Sequence, residues 1–169
     1  DVCSSDLKVM PCMSSFSAGA AAGLALALLL APAAHAEFEP QRLWLNAGFY
    51  SVHFERDRGL RDANPGIGAE YRLDERWSLT AGRFLNSDNA HSNYLGAYWQ
   101  PWQVGAVRLG VVGGAFNGYP RAFQGGWFPA VIPVASWEGQ RVGLNVALVP
   151  PLQDRLYGAL SFQLKFRWP

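Results

Sequence analysis

The residues with the clearest chemical potential are a histidine and a serine that stand far apart in the chain. His53 ends one apolar stretch, and Ser87 follows Asn86 at the end of another. A histidine beside a serine hydroxyl can act as a general base, while the hydroxyl acts as a nucleophile or as a donor to an oxyanion. Such a pair is a minimal set of side chains for acyl transfer, provided that the fold brings them together.

The composition narrows the classes of function. The chain has 169 residues and a formal net charge of +1, so its charge does not indicate nucleic-acid binding. Hydrophobic residues make up 50% of it and are interleaved with polar ones. The sequence has no metal-ligand spacing, glycine-rich phosphate loop or nucleotide motif. We therefore expect no metal ion, no cofactor and no nucleic-acid partner.

Two N-terminal segments are set apart from the expected fold. Residues 1–7, DVCSSDL, resemble a translated sequencing adapter. Residues 8–36 have the character of a signal peptide region, because the apolar stretch is short and alanine-rich and Ala34-His35-Ala36 fits an A-x-A cleavage site. We expect an exported protein whose mature chain begins near Glu37 and contains no cysteine, since both cysteines lie upstream.

Beyond the signal region, the chain has the periodicity of β-strands. Segments of about ten residues alternate with period two and are separated by turn residues. Short and longer connectors alternate, which is the layout of an outer-membrane barrel. We therefore predict an all-β fold for residues 37–169, an eight-stranded antiparallel transmembrane β-barrel. The predicted strands are residues 42–53, 66–73, 76–86, 92–100, 106–117, 127–137, 140–149 and 156–168.

The last two strands indicate which face meets lipid. In Ala159–Trp168, large apolar residues alternate with polar and charged ones. A Lys or Arg that faces lipid at mid-depth costs ~2–4 kcal/mol, so the apolar set is expected to face outward. Val142–Leu148 repeats the pattern. The alternative is a soluble, ligand-filled barrel with its apolar face inward, but export favours the membrane barrel.

The topology of such a barrel places the histidine and the serine on one rim. If the mature N-terminus starts on the periplasmic side, the first and third strands both run outward. The first then ends at His53 and the third at Asn86-Ser87. The charged run Glu55–Asp62 that follows the first strand is expected to be a solvated loop.

Prolines in the sixth and seventh strands predict a lateral gap in the barrel wall. Proline has no N–H to give to a ladder, so it is rare in paired strands. Pro129 and Pro133 nevertheless lie in the sixth strand, and Pro150 ends the seventh. Alternation continues through Pro133, so it is not a strand-end residue. We therefore expect the ladder between these two strands to be weakened, whereas Pro65 stands at the start of the second strand, where a strand-end proline is ordinary.

These stretches resemble the PagP-type lipid A palmitoyltransferases, which are small eight-stranded outer-membrane enzymes. The most specific match is Pro129–Ser136, PAVIPVAS, followed by Pro150, which is similar to the family's P-x-x-x-P-[LV]-A-S segment and its next proline. Val52-His53-Phe54 is similar to the start of the family's W-H-A-R-F, and Phe84–Ser87 stands where the family has F-K-D-S. The resemblance covers most of residues 48–168.

The resemblance implies a function and a set of site residues. It implies transfer of an acyl chain from a glycerophospholipid donor to lipid A, in the outer membrane of a Gram-negative bacterium, by a monomer. It assigns catalysis to His53 and Ser87, with Asn86 orienting the pair from the position of the family's aspartate. The resemblance also implies that lipid enters the barrel sideways where prolines weaken the ladder, at Pro129, Pro133 and Pro150, and that Pro65 belongs to a second gap. Gly96 and Tyr98 would belong to the acyl pocket. Tyr98 replaces the family's floor glycine, which predicts a donor chain shorter than palmitate.

A second hypothesis is a barrel of this type that has lost catalysis and has a structural or lipid-binding role. Asparagine in the aspartate position, tyrosine in the pocket and the lack of the family's N-terminal amphipathic helix support it. His91-Ser92-Asn93 resembles the His-x-Ser pattern of lipid A deacylase barrels, but the spacing differs and no matching glutamate follows.

Overall fold

The computed structural model describes residues 37–152 and 156–169, and these residues form a closed antiparallel barrel of eight strands. Each strand pairs with the next along the chain, and β8 closes onto β1. The predicted all-β, eight-stranded antiparallel fold is confirmed. The strands are β1 (Leu43–His53), β2 (Ala63–Arg72), β3 (Trp77–Leu85), β4 (His91–Val104), β5 (Val107–Phe116), β6 (Phe128–Glu138), β7 (Val142–Val149) and β8 (Ala159–Arg167).

The proposed adapter residues 1–7 and signal region 8–36 lie outside the described residues. Across residues 37–152 and 156–169, no helix is both long and apolar enough to cross a membrane.

The two rims of the barrel differ in the length of their connections. Residues 73–76, 105–106 and 139–141 join strands at one end, which we call the short-turn rim. Residues 54–62, 86–90, 117–127 and 150–158 join strands at the other end, the long-loop rim. This is the predicted alternation of short and long connectors.

The side chains of β8 face as predicted. Leu164 and Phe166 are about half exposed on the outer wall, whereas Gln163 and Lys165 are buried in the lumen. In β7, Val142 and Leu148 are exposed while Asn145 is buried. The outer wall is therefore apolar, as a lipid-facing surface requires.

Pro101 differs from the prediction, because it lies inside a strand and not in a turn. The fourth strand was expected to end at residue 100, but β4 continues to Val104. The pairing of β4 with β5 shifts between Trp99 and Trp102, so Pro101 lies in a bulge. A bulged residue is left unpaired, so the missing N–H of proline interrupts no ladder bond there.

Pro65 also lies in an irregularity, and the second predicted gap is not open. The proline is inside β2, where the register with β1 shifts between Ala47 and Phe49. Pairing resumes beyond it, with Phe49 opposite Asn64. A bulge absorbs the proline at this seam, so the strands separate only locally.

The half of the lumen near the short-turn rim is filled by an ion-pair network. Lys165 is fully buried, with Nζ 2.8 Å from Glu70 Oε2 and 2.7 Å from Glu138 Oε1. Asn145 Nδ2 donates to Glu70 Oε2 at 3.1 Å. We call Glu70, Arg72, Arg108, Glu138, Asn145 and Lys165 the polar block, since Arg72 and Arg108 also pair with Glu138. Because each buried charge has partners, the block can close this end of the barrel.

We expect Lys165→Met to destabilise the barrel by ~3–5 kcal/mol, because the nearest cation left to the buried Glu70 carboxylate is then Arg72, 3.7 Å away. The measurement is the free energy of unfolding in urea, with the protein reconstituted in lipid vesicles. Arg141→Gln, at the exposed turn after β6, is the control and should change stability by less than about 0.5 kcal/mol. Equal stability of Lys165→Met and the wild type would contradict a stabilising role for the block.

Candidate active site

His53 and Ser87 meet at the long-loop rim, as the topology predicts. His53 is the last residue of β1 and is 7% exposed, and Ser87 lies two residues past the end of β3. His53 Nε2 is 2.9 Å from Ser87 Oγ. This is a hydrogen-bond distance, so the imidazole can take the proton of the hydroxyl directly.

A third residue, Asp62, completes the group and was missed in the sequence. Asp62 Oδ1 is 2.9 Å from His53 Nδ1, on the opposite side of the ring from Ser87. The carboxylate is about half exposed, whereas the imidazole is buried. Asp62 belongs to the charged run that was expected to be a solvated loop. That run holds three acids, and no spacing distinguishes the one that turns back to β1.

Main-chain hydrogen bonds hold these three residues in place. Ser51 N–H of β1 donates to the carbonyl oxygen of Asp62 at 2.8 Å. The neighbouring Arg61 N–H donates to the carbonyl oxygen of Ser87 at 3.0 Å, and Arg61 Nε donates to Asn89 Oδ1 at 2.7 Å. The β1–β2 loop is therefore fastened both to the barrel and to the loop that carries Ser87.

Asn86 lies at the predicted rim, but its side chain makes other contacts than the predicted one with His53. It is fully buried, and its Nδ2 donates to Ser92 Oγ at 2.9 Å and to Gly118 O at 2.8 Å. Its Oδ1 accepts from the N–H groups of Asp88 and Ala90. These contacts use the whole hydrogen-bonding capacity of the amide, so Asn86 shapes the loop and does not orient His53. An aspartate could not donate the two bonds from Nδ2.

The histidine and the serine stand at the end of an apolar cavity. The cavity has a volume of about 120 Å³. A narrow space of this size suits one hydrocarbon chain. Among the residues that line it are Phe49, Phe84, Tyr94, Tyr98, Val112, Phe116, Phe128, Ala130, Ile132, Ala147 and Val149.

Tyr98 faces the lumen and forms the floor of this cavity. It is buried, and its hydroxyl accepts a hydrogen bond from Asn145 Nδ2 at 3.3 Å. The ring thus rests on the polar block. Gly96 has the inward position between Tyr94 and Tyr98, where an added Cβ would lie 2.6 Å from the carbonyl oxygen of Gly113. Glycine at residue 96 therefore permits the close approach of β5.

Next to the cavity, β6 and β7 are not paired with each other along their whole length. β6 pairs with β5 from Phe128 to Trp137, but its pairing with β7 begins only at Val134. Because the ladder to β5 is unbroken, the missing N–H groups of Pro129 and Pro133 lie on the β7 side. Pro150 follows directly after β7. The sixth and seventh strands are therefore unpaired where the lateral gap was predicted, from the long-loop rim down to Pro133.

The gap and the cavity share their lining. Ala130 and Ile132 of β6 and Ala147 and Val149 of β7 face the cavity and flank the unpaired edges. A chain that passed between the strands would enter the apolar space below His53 without crossing the polar block.

Two aromatic contacts cover the long-loop end of the cavity. Tyr119, in the β5–β6 loop, packs edge-on against Phe128, and burial raises the pKa of its hydroxyl. Tyr157 also lines the cavity; Arg121 Nη1 donates to its hydroxyl, and the Arg58 guanidinium lies 5.6 Å from its ring centroid. Cations from two loops thus border the mouth near His53.

Within the part of the chain that the structure describes, no cluster of three or more His, Cys, Asp or Glu side chains could hold a metal ion.

Comparison with known proteins identifies a fold and no family. No family model matches the chain, and no curated protein matches it. Among solved structures, the solution NMR structure of the de novo designed TMB2.3 is similar, with 18% sequence identity and a TM-score of 0.51 over 76% of this chain and 95% of that one. That protein is a designed transmembrane β-barrel. The likeness shows the fold, a closed eight-stranded antiparallel barrel, and this fold is compatible with an outer-membrane location.

Proposed function

We propose that the protein is an outer-membrane acyltransferase that moves a fatty acyl chain from a glycerophospholipid to lipid A. The main support for the proposal is the arrangement of the cavity, the strand edges and the His53–Ser87 pair. A mainly apolar cavity borders the unpaired edges of β6 and β7 and has His53 and Ser87 at its long-loop end. A lipid acyl chain fits such a space, and its ester carbonyl would then lie beside the pair.

The identities of donor and acceptor rest on the resemblance of PAVIPVAS and the His53 and Ser87 segments to PagP-type enzymes. The apolar lining and lateral gap support a membrane lipid as donor, because a water-soluble ester would have no need of a sideways route. Arg58 and Arg121 beside the mouth support a phosphorylated lipid as a reactant, since guanidinium groups bind phosphate oxygens.

The depth of the cavity sets the length of the acyl chain. His53 is level with Ala159 of β8, and Gln163 lies level with Asn145, the partner of Tyr98. Those four residues of strand span ~13 Å, or ~10 Å along the axis when strands tilt by ~40°. A chain that advances ~1.25 Å per carbon would place about eight to ten carbons between His53 and Asn145 of the polar block, and the Tyr98 ring takes the lowest few of these positions. The proposed donor chain is therefore of medium length, shorter than palmitate.

The second candidate is a non-enzymatic barrel that binds lipid or has a structural role. The inward Tyr98 favours it, because the ring shortens the lumen. The convergence of His53, Ser87 and Asp62 favours the enzyme, since a binding protein has no use for an oriented base and hydroxyl. Activity measurements separate the two.

Substituting His53→Ala or Ser87→Ala should abolish acyl transfer, because each removes one partner of the proton transfer. The measurement is thin-layer chromatography of lipid A from cells that express each variant, read as loss of the more acylated species. His91→Ala, an exposed histidine at the start of β4, is the control and should leave the pattern unchanged. No difference between the wild type and the two variants would favour the non-enzymatic barrel.

Replacing Tyr98, the floor of the cavity, should change the preferred length of the donor acyl chain. In Tyr98→Ala the space that the ring occupied opens down to the polar block, so the preferred donor chain should lengthen by ~2–4 carbons. Tyr98→Phe keeps the ring and should keep the preference. Mass spectrometry of products from phospholipids of graded chain length gives the result, and an unchanged optimum in Tyr98→Ala would show that another residue limits the cavity.

Restoring backbone N–H donors to β6 should hinder the entry of lipid between β6 and β7. Pro129→Ala together with Pro133→Ala returns two N–H groups to the β6 edge that faces β7, so the strands can pair further. The rate with a vesicle phospholipid should fall, whereas the rate with a short-chain soluble ester should hold. Pro101→Ala, in the β4 bulge, is the matched control. Equal loss on both substrates would point to damage at the site and not at the gap.

A further inference from the structure

We propose that Ser87 is the nucleophile and that acyl transfer passes through a covalent acyl-Ser87 intermediate, with Asp62 as the residue that positions His53. The inference rests on the proposed acyl-transfer function. It adds a carboxylate that the sequence did not single out, and it assigns a covalent role to a hydroxyl whose role the sequence left open.

The two contacts of the imidazole fix its tautomer. An ionised carboxylate is only an acceptor, so the proton between His53 and Asp62 belongs to Nδ1. Nε2 is then the unprotonated nitrogen, and it accepts from the Ser87 hydroxyl at 2.9 Å. The hydroxyl proton is thus directed at the base that would remove it, which is the arrangement of serine nucleophiles.

This direction of the hydroxyl argues against the role of oxyanion donor. A donor to an oxyanion must point its O–H at the substrate. The only hydrogen of Ser87 Oγ points at Nε2 and leaves the oxygen lone pairs for the substrate. With the cavity beside it, Ser87 Oγ is placed to attack an ester carbonyl of a chain held above Tyr98.

Main-chain hydrogen bonds hold this arrangement in place. Asp62 is anchored by Ser51 N–H, and Ser87 is anchored by Arg61 N–H, so the carboxylate and the hydroxyl are fixed through neighbouring main-chain bonds. Asn86 completes the loop on the other side of Ser87. A pair of loops fastened in this way limits the cost of aligning the reacting groups.

The chemistry proceeds in two balanced halves. Ser87 Oγ attacks the donor ester carbonyl as His53 Nε2 takes the hydroxyl proton, and the collapse of the tetrahedral intermediate breaks the ester C–O bond. The lysophospholipid alkoxide leaves with that proton, and the acyl group remains on Ser87. In the second half, His53 takes the proton of an acceptor hydroxyl, whose oxygen attacks the acyl-serine. Collapse then returns the proton to Ser87 Oγ.

The test is labelling and trapping of Ser87 in the full-length protein in detergent micelles. A fluorophosphonate probe should label the wild type once, at Ser87, and a medium-chain phospholipid without acceptor should leave an acyl group on the same residue by mass spectrometry. Ser87→Ala should show neither. Asp62→Asn should slow labelling by ~10²–10⁴-fold while phospholipid binding, measured by equilibrium titration, is unchanged.

Two matched variants separate positioning from structural damage. Asp62→Glu keeps a carboxylate and should recover labelling in part, whereas Asp57→Asn removes an acid of the same loop and should label at the wild-type rate. Labelling of Ser87→Ala at another residue, or full labelling of Asp62→Asn, would overturn the inference. Acyl transfer to lipid A without any acyl-Ser87 would also overturn it and leave the proposed function standing. Labelling of Ser87 without transfer to lipid A would support the inference and contradict the proposed function.

Discussion

Lys165 lies between Glu70 and Glu138 in the lumen, and the division of the barrel into two halves depends on this contact. An eight-stranded barrel has an interior just wide enough for its own side chains, so whatever fills it decides what else can enter. Paired charges fill the half near the short turns. The Tyr98 hydroxyl accepts a hydrogen bond from Asn145, so the ring lies on the side of the polar block that faces the long-loop rim. The remaining half is lined mainly by apolar side chains, with Ser51, Asn64 and Ser161 as a small polar group, and it ends at His53 and Ser87.

The gap in the wall follows from what proline lacks. Unpaired backbone groups are costly in hydrocarbon, because lipid offers them no partner. A strand edge with Pro129 and Pro133 has fewer donors to leave unpaired, so β6 can separate from β7 at lower cost than an ordinary strand could. The pairing resumes at Val134, which is close to the depth at which Tyr98 closes the cavity. The opening thus extends over the apolar half and not over the polar block.

Strand periodicity and topology were enough to predict the barrel and the meeting of His53 with Ser87, because period two and antiparallel neighbours leave few alternatives. Alternation through Pro133 likewise predicted a gap at the place where β6 and β7 are unpaired. Pro65 and Pro101 were misplaced, since a bulge leaves no mark in a hydrophobic pattern. Asp62 was missed because three acids share one loop, and only the path of the backbone selects among them. Asn86 was given the wrong contacts because its amide serves its own loop, a local need that the position in a motif does not reveal.

The central claim is that a lipid acyl chain occupies the apolar half of the lumen, with its end on Tyr98 and its ester at Ser87. The most direct test is a crystal structure of the Ser87→Ala protein with a medium-chain phospholipid that carries bromine on its terminal carbon. If the chain occupies the lumen in this way, the anomalous bromine peak will lie in contact with the Tyr98 ring and the glycerol backbone will lie beside His53. A bromine found only on the outer wall, with water in the cavity, would contradict it.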